Sequence, residues 1–322
     1  MVTRLQEKNC ASSLRWFPTD SLGFKHKLVQ QSSVHLLFPF VASLLYVTGI
    51  LFVKRAADLG VGAWRTSFVT NLLTGLVFSS LWLLGGTWPG WSLIWQPALM
   101  ALFFVTGQTL SFVAVSRGDV SIATPIMGIK IILVALLAAM LFREPISTTL
   151  WLAAGLSTLS LALLGYSGNQ PHHHMAFTIT TSALASLAFA AFDVLVSQWS
   201  PAWGPGRLLP VLMGFVALYS LAFLPLFKGP ISKVPLPAWK PLLLGAAFIT
   251  LQAVAIVSGL ALHGDAAAMN VVYSCRGLWS VAAVWLVGHW FDNREQNLAP
   301  SVLRMRLAGA ALLTFAIVLV FV

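Results

Sequence analysis

Two cations stand deep inside apolar sequence. Lys130 is the eleventh residue of an apolar stretch that begins at Val120, and Arg276 is the eleventh of one that begins at Ala266. Each costs roughly 2.5–3.5 kcal/mol to insert at the centre of a membrane helix, so something must offset the pair. The chemistry on offer is anion recognition. Arginine presents a planar fork that matches a carboxylate or phosphate, and lysine adds a point charge. The competing reading is a structural ion pair or snorkelling. Only one acid, Asp193, lies well within an apolar stretch, and it could neutralise one cation but not both. Asp193 therefore reads either as a proton carrier for coupling or as a counter-ion. On an ideal helix Tyr273 and Ser280 share the face of Arg276, while Asn270 lies elsewhere on that helix. Tyr46, Asn71, Gln108 and Gln252 are further polar residues in mid-stretch. They could complete a substrate site or bond one helix to another.

Composition dictates the elements that position these groups. Of 322 residues, 58% are hydrophobic and 9% charged, against about 25% charged in a soluble domain. So few charges cannot cover a globule of this size, and so apolar a chain cannot be disordered. Most of the surface must meet lipid. Ten windows are long enough to cross a ~30 Å hydrocarbon core as helices: about 35–54, 64–85, 94–116, 120–142, 149–167, 176–198, 207–227, 240–263, 266–291 and 306–322. Continuous apolar runs argue against a β-barrel. Most tryptophans, Trp64, Trp95, Trp199 and Trp203 among them, fall near window ends as an interfacial belt would require. Small residues such as Gly155, Ser160 and Gly245 would let helices approach closely. The net charge of +10 reads as loop charge near anionic headgroups rather than a nucleic-acid surface. Basic residues divide between the N-terminal tail and the loops of the opposite side, which leaves the orientation open. Cys10 and Cys275 make no disulfide framework.

An internal repeat organises the windows. Ala42-Ser43-Leu44 matches Ala185-Ser186-Leu187, Gly60-Val61-Gly62 matches Gly204-Pro205-Gly206, Gly118-Asp119 matches Gly264-Asp265, and Leu152-Ala153 matches Leu307-Ala308. The separation of Lys130 from Arg276, 146 residues, equals that of the two Gly-Asp pairs. Five spans is an odd number, so a second copy enters the membrane from the other side. The expected fold is an all-α polytopic membrane protein of ten transmembrane helices in two inverted five-helix repeats. A polar tail covers 1–34, the first repeat 35–167, a linker 168–175 and the second repeat 176–322.

The segment from Gly118 to Pro125, the helix running on to Phe142-Arg143-Glu144-Pro145, and Leu152-Ala153-Ala154-Gly155 resemble the drug/metabolite transporter superfamily, in particular its EamA-like ten-span members. Lys54-Arg55-Ala56-Ala57 and Arg65 are similar to what such transporters carry. The resemblance implies gating or interfacial roles for Pro125 and Glu144. The second half departs from that pattern, with Val271 in the place of the proline and the acidic end displaced to Asp292–Glu295.

The expected function is secondary transport of a small polar metabolite, anionic or zwitterionic, by alternating access, with Lys130, Arg276, Tyr273, Asn270, Gln108, Tyr46, Asn71 and Gln252 lining the site. An exporter of hydrophobic or aromatic compounds is the alternative, with the cations merely paired to Asp193. An integral membrane enzyme or lipid-handling protein is the alternative of another class. No P-loop, nucleophile elbow or zinc spacing supports an enzyme, and His172-His173-His174 reads as an exposed loop before a metal site. No cofactor is expected. The expected partners are a small-molecule substrate, the lipid bilayer and a proton or counter-substrate, without nucleic acid, as monomer or homodimer. The expected location is a bacterial inner membrane.

Overall fold

A computed structural model describes residues 33–117, 123, 126–165, 175–287 and 300–321. The described residues are mostly helical, without a strand. That is the outcome lipid imposes, because a helix satisfies its own backbone groups where no water can. The helices are α1 (Leu37–Asp58), α2 (Ala63–Ser79), α3 (Trp95–Arg117), α4 (Lys130–Phe142), α5 (Thr148–Leu164), α6 (Met175–Trp203), α7 (Pro205–Tyr219), α8 (Leu236–His263), α9 (Ala266–Tyr273), α10 (Arg276–Val287) and α11 (Pro300–Val320). Tight 3₁₀ turns, Ser80–Leu84 and Ser220–Leu226, extend α2 and α7. Six helical segments among the described residues are long and apolar enough to cross a membrane. The chain is an integral, multi-pass membrane protein.

The surface confirms which solvent the fold is built for. Leu76, Leu83, Met140, Leu141 and Leu307 are exposed, whereas Ser43, Thr74, Ser157, Ser160 and Thr250 are buried. Apolar side chains face out and hydroxyls face in, where most find a partner on the same or a neighbouring helix and Ser157 does not. Thr74 and Thr250, for instance, share a hydrogen bond of 2.9 Å between α2 and α8.

Two expected spans are not single helices. Lys130 was placed eleven residues into a continuous stretch, but it is the first residue of α4 and follows a turn at Gly128–Ile129. Arg276 likewise opens α10, after a turn at Ser274–Cys275 that ends α9. Bonds of the i→i+3 type mark both places: Ile129 N–H to Ile126 O at 3.1 Å and Cys275 N–H to Val272 O at 3.0 Å. Side chains reinforce them. Thr158 of α5 donates to Gly128 O at 3.3 Å, and the Ser274 hydroxyl turns back onto Val271 O. A mid-helix 3₁₀ turn of this kind marks a hinge or a functional position. The two turns are 146 residues apart, the same offset as the cations.

Close packing brings distant segments together. α1 runs along α8, α3 along α6, α2 against α7, and α5 against α11, while α4 lies on α6 and both α9 and α10 lie on α1. Gly245 of α8 sits so near α1 that a Cβ there would meet Val53 at 2.9 Å. Ser160 of α5 donates to Gly309 O of α11 at 2.7 Å. Gly155, expected to serve the same purpose, has open space where its Cβ would go. Trp203 also departs from the interfacial belt. It is fully buried, stacks edge-on with Trp88 and donates from Nε1 to Gln96 Oε1 at 2.8 Å. The expected loop 201–206 is mostly helix, because α6 runs through Pro201 to Trp203.

Candidate functional site

The two turns bring both cations to one place in the bundle, with α6 and α1 supplying what surrounds them. α6 is enclosed on all sides around Asp193: Phe192, Val194, Leu195 and Val196 are buried with it. A carboxylate in that setting needs a partner, and Asp193 has two. Lys130 Nζ lies 2.7 Å from Asp193 Oδ2. Asn270 of α9 donates from Nδ2 to the same oxygen at 2.8 Å, and to Ala266 O of its own helix at 2.9 Å. Asp193 thereby ties α4 and α9 to α6. Lys130 Nζ also stands 5.8 Å from the ring centre of Phe189, one turn earlier on α6.

Arg276 has a different environment. Its guanidinium carbon stands 5.3 Å from the Tyr46 ring of α1 and 4.8 Å from the Tyr273 ring of α9, and the two rings meet edge to face at 6.2 Å. Among the described residues no carboxylate comes within ion-pair distance of Arg276. Asp193 acts on it only at longer range, and Lys130 and Arg276 lie close enough to repel one another. Trp279 helps to seat α10, donating from Nε1 to Ser43 Oγ of α1 at 3.1 Å. A desolvated cation–π contact contributes on the order of 2 kcal/mol, so two rings offset much of the cost of one half-buried guanidinium without neutralising it. What results is a positive centre with polar neighbours, able to hold a carboxylate-like group in the plane of the guanidinium.

The structure thus brings together Lys130, Asp193, Asn270, Arg276, Tyr273 and Tyr46. Asn270, placed off the Arg276 face from an unbroken helix, joins the group because the break separates α9 from α10. Ser280 does not join it: the residue is exposed and its hydroxyl donates to Arg276 O at 2.7 Å. Asn71 and Gln108 pair with each other through two bonds of 2.9 and 3.2 Å between α2 and α3. Gln252 is half-buried on α8. Glu144, just past α4, accepts from Gln198 Nε2 of α6 at 3.0 Å. Pro125 and His172–His174 lie outside the described residues. Among the described residues no three His, Cys, Asp or Glu side chains gather as metal ligands would. Phe189 escaped sequence inspection, although the matched Ala-Ser-Leu triplets, 143 residues apart, pair it with Tyr46.

Residues 33–166 match the EamA-like transporter family. Over that segment the chain is similar to this family, which lies within the drug/metabolite transporter superfamily. An EamA-like protein is a membrane transporter of small molecules and not an enzyme. The match covers α1 to α5. Beyond it the fold itself is familiar: a crystal structure of a protein 16% identical superposes with a TM-score of 0.64, over 90% of this chain and 96% of that one. No curated protein matches the sequence.

Proposed function

We propose that this EamA-like chain is a secondary transporter that moves a small polar metabolite with an anionic group across a bacterial inner membrane. It works by alternating access between two inverted five-helix halves, with ten crossings in all. Several observations support that architecture. Exchanging the first five segments for the second five converts the α1–α8 pair into α6–α3, and the α4–α6 pair into α9 and α10 on α1. It leaves α2–α7 and α5–α11 as self-paired contacts. The broken segments coincide under the same exchange. Interrupted helices at the interface of inverted repeats are where secondary transporters hold their substrates.

The observation that carries the substrate reading is Arg276, a half-buried guanidinium framed by Tyr46 and Tyr273 and, among the described residues, without a carboxylate. It receives the anionic group. Asp193 is the counter-ion that holds Lys130, and Asn270 fixes the carboxylate between them. Asn71, Gln108 and Gln252 offer polar contacts farther along the path, while Glu144 with Gln198, and Pro125, serve the gate. Export of apolar compounds, with both cations merely paired, fits less well, since Asp193 reaches one of them only. The test is a thermal-shift screen of the purified protein against a metabolite panel, repeated with Arg276→Ala. Stabilisation by carboxylates or phosphates that disappears in the variant is expected. Stabilisation confined to uncharged aromatic compounds, or unchanged in the variant, contradicts the reading.

A further inference from the structure

We infer that the site selects metabolites of a single net negative charge, and that Asp193 sets this number by cancelling Lys130. The inference rests on the anion-site reading above and adds the charge of the substrate.

Among the described residues three groups able to carry charge converge: Lys130 and Asp193, paired at 2.7 Å, and Arg276. The remaining neighbours, Asn270, Tyr46, Tyr273 and Phe189, are neutral. With Lys130 and Asp193 paired, the described residues leave one positive charge uncompensated, on Arg276. In a setting of low dielectric, uncompensated charge is what burial penalises. A monoanion brings the sum to zero. A dianion overshoots and places its second charge beside Asp193. A zwitterion leaves the sum where it was. Geometry points the same way. Tyr46 and Tyr273 lie beside the guanidinium with their rings, Tyr273 also bonds it through its side chain, and among the described residues no carboxylate meets its remaining N–H edge. That edge fits one two-oxygen acid group. Lys130, by contrast, is already held at 2.7 Å and is not free to receive a second acid. On this account Lys130 is a positioning residue for Asp193, not a direct ligand.

Two probes separate charge from shape: succinate, and its monomethyl ester, on the same carbon skeleton. Binding to the purified full-length protein is measured at about pH 8, where both succinate carboxyls are ionised. The ester is expected to bind about tenfold more tightly than succinate, the scale of one partly screened charge. Asp193→Asn keeps the shape of the side chain and frees Lys130, so the order should reverse. The double variant Lys130→Gln/Asp193→Asn restores a lone guanidinium, so the preference for the ester should return. A protein merely damaged by the first substitution would not recover on receiving the second. Wild-type preference for succinate, or an order that Asp193→Asn leaves unchanged, overturns the inference while keeping the anion site. Silence from both probes in every variant removes the anion site, and this inference with it.

Discussion

The two helix breaks hold the same type of residue at the same register, yet they treat it differently. Lys130 meets a carboxylate at 2.7 Å and one ring; Arg276 meets two rings and no carboxylate. The asymmetry originates on the helices that face the breaks. Tyr46 of α1 and Phe189 of α6 are equivalent under the 143-residue offset and each lies over the cation of the other half. Asp193 has no such equivalent: Ile50 stands at the matching position and is exposed. The two breaks thus present two cations, and Asp193 settles the charge of one of them. On the proposed reading the paired cation is structural, and the unpaired one receives the ligand.

Removing each cation should break that comparison most sharply. Lys130→Ala leaves Asp193 buried without a counter-charge and should destabilise the protein by about 3–5 kcal/mol, visible as a lowered melting temperature. Arg276→Ala removes a charge that has no acid partner, so thermal stability should hold or rise while transport falls by two orders of magnitude or more. Equal thermal losses in the two variants would contradict the division of roles. Tyr46→Leu removes one ring from Arg276 at a cost of about 1–2 kcal/mol and should weaken substrate affinity about tenfold. Phe189→Leu, whose cation keeps its ion pair, should change affinity less. Ser280→Ala should leave both melting and transport unchanged, since that hydroxyl only returns to Arg276 O.

Much of this was legible in the sequence because lipid makes charge conspicuous. Lys130, Arg276 and Asp193 stand out among apolar neighbours, and their convergence follows from the small number of ways a membrane can tolerate them. Six of the ten helix windows were legible as spans for the same reason, although α6 and α8 extend beyond their expected bounds. The breaks at Gly128–Ile129 and Ser274–Cys275 were not legible. Neither is signalled by a proline at the turn itself, and the 3₁₀ bonds that form them depend on packing, as with Thr158 reaching Gly128 O. Ser280 was misplaced for another reason: it lies one turn after Arg276 on the same unbroken helix, but that turn is exposed and the hydroxyl returns to Arg276 O. The interior position of Trp203 was hidden by composition, since a tryptophan near a helix end reads as interfacial unless its partner, here Gln96, is known.

The most direct test is uptake of an anionic metabolite into proteoliposomes containing wild-type protein or Arg276→Gln, with folding verified by melting temperature. Loss of uptake from a variant that melts no lower than wild type is the expected result. Uptake at the wild-type rate would show that the unpaired guanidinium between Tyr46 and Tyr273 does not receive the substrate.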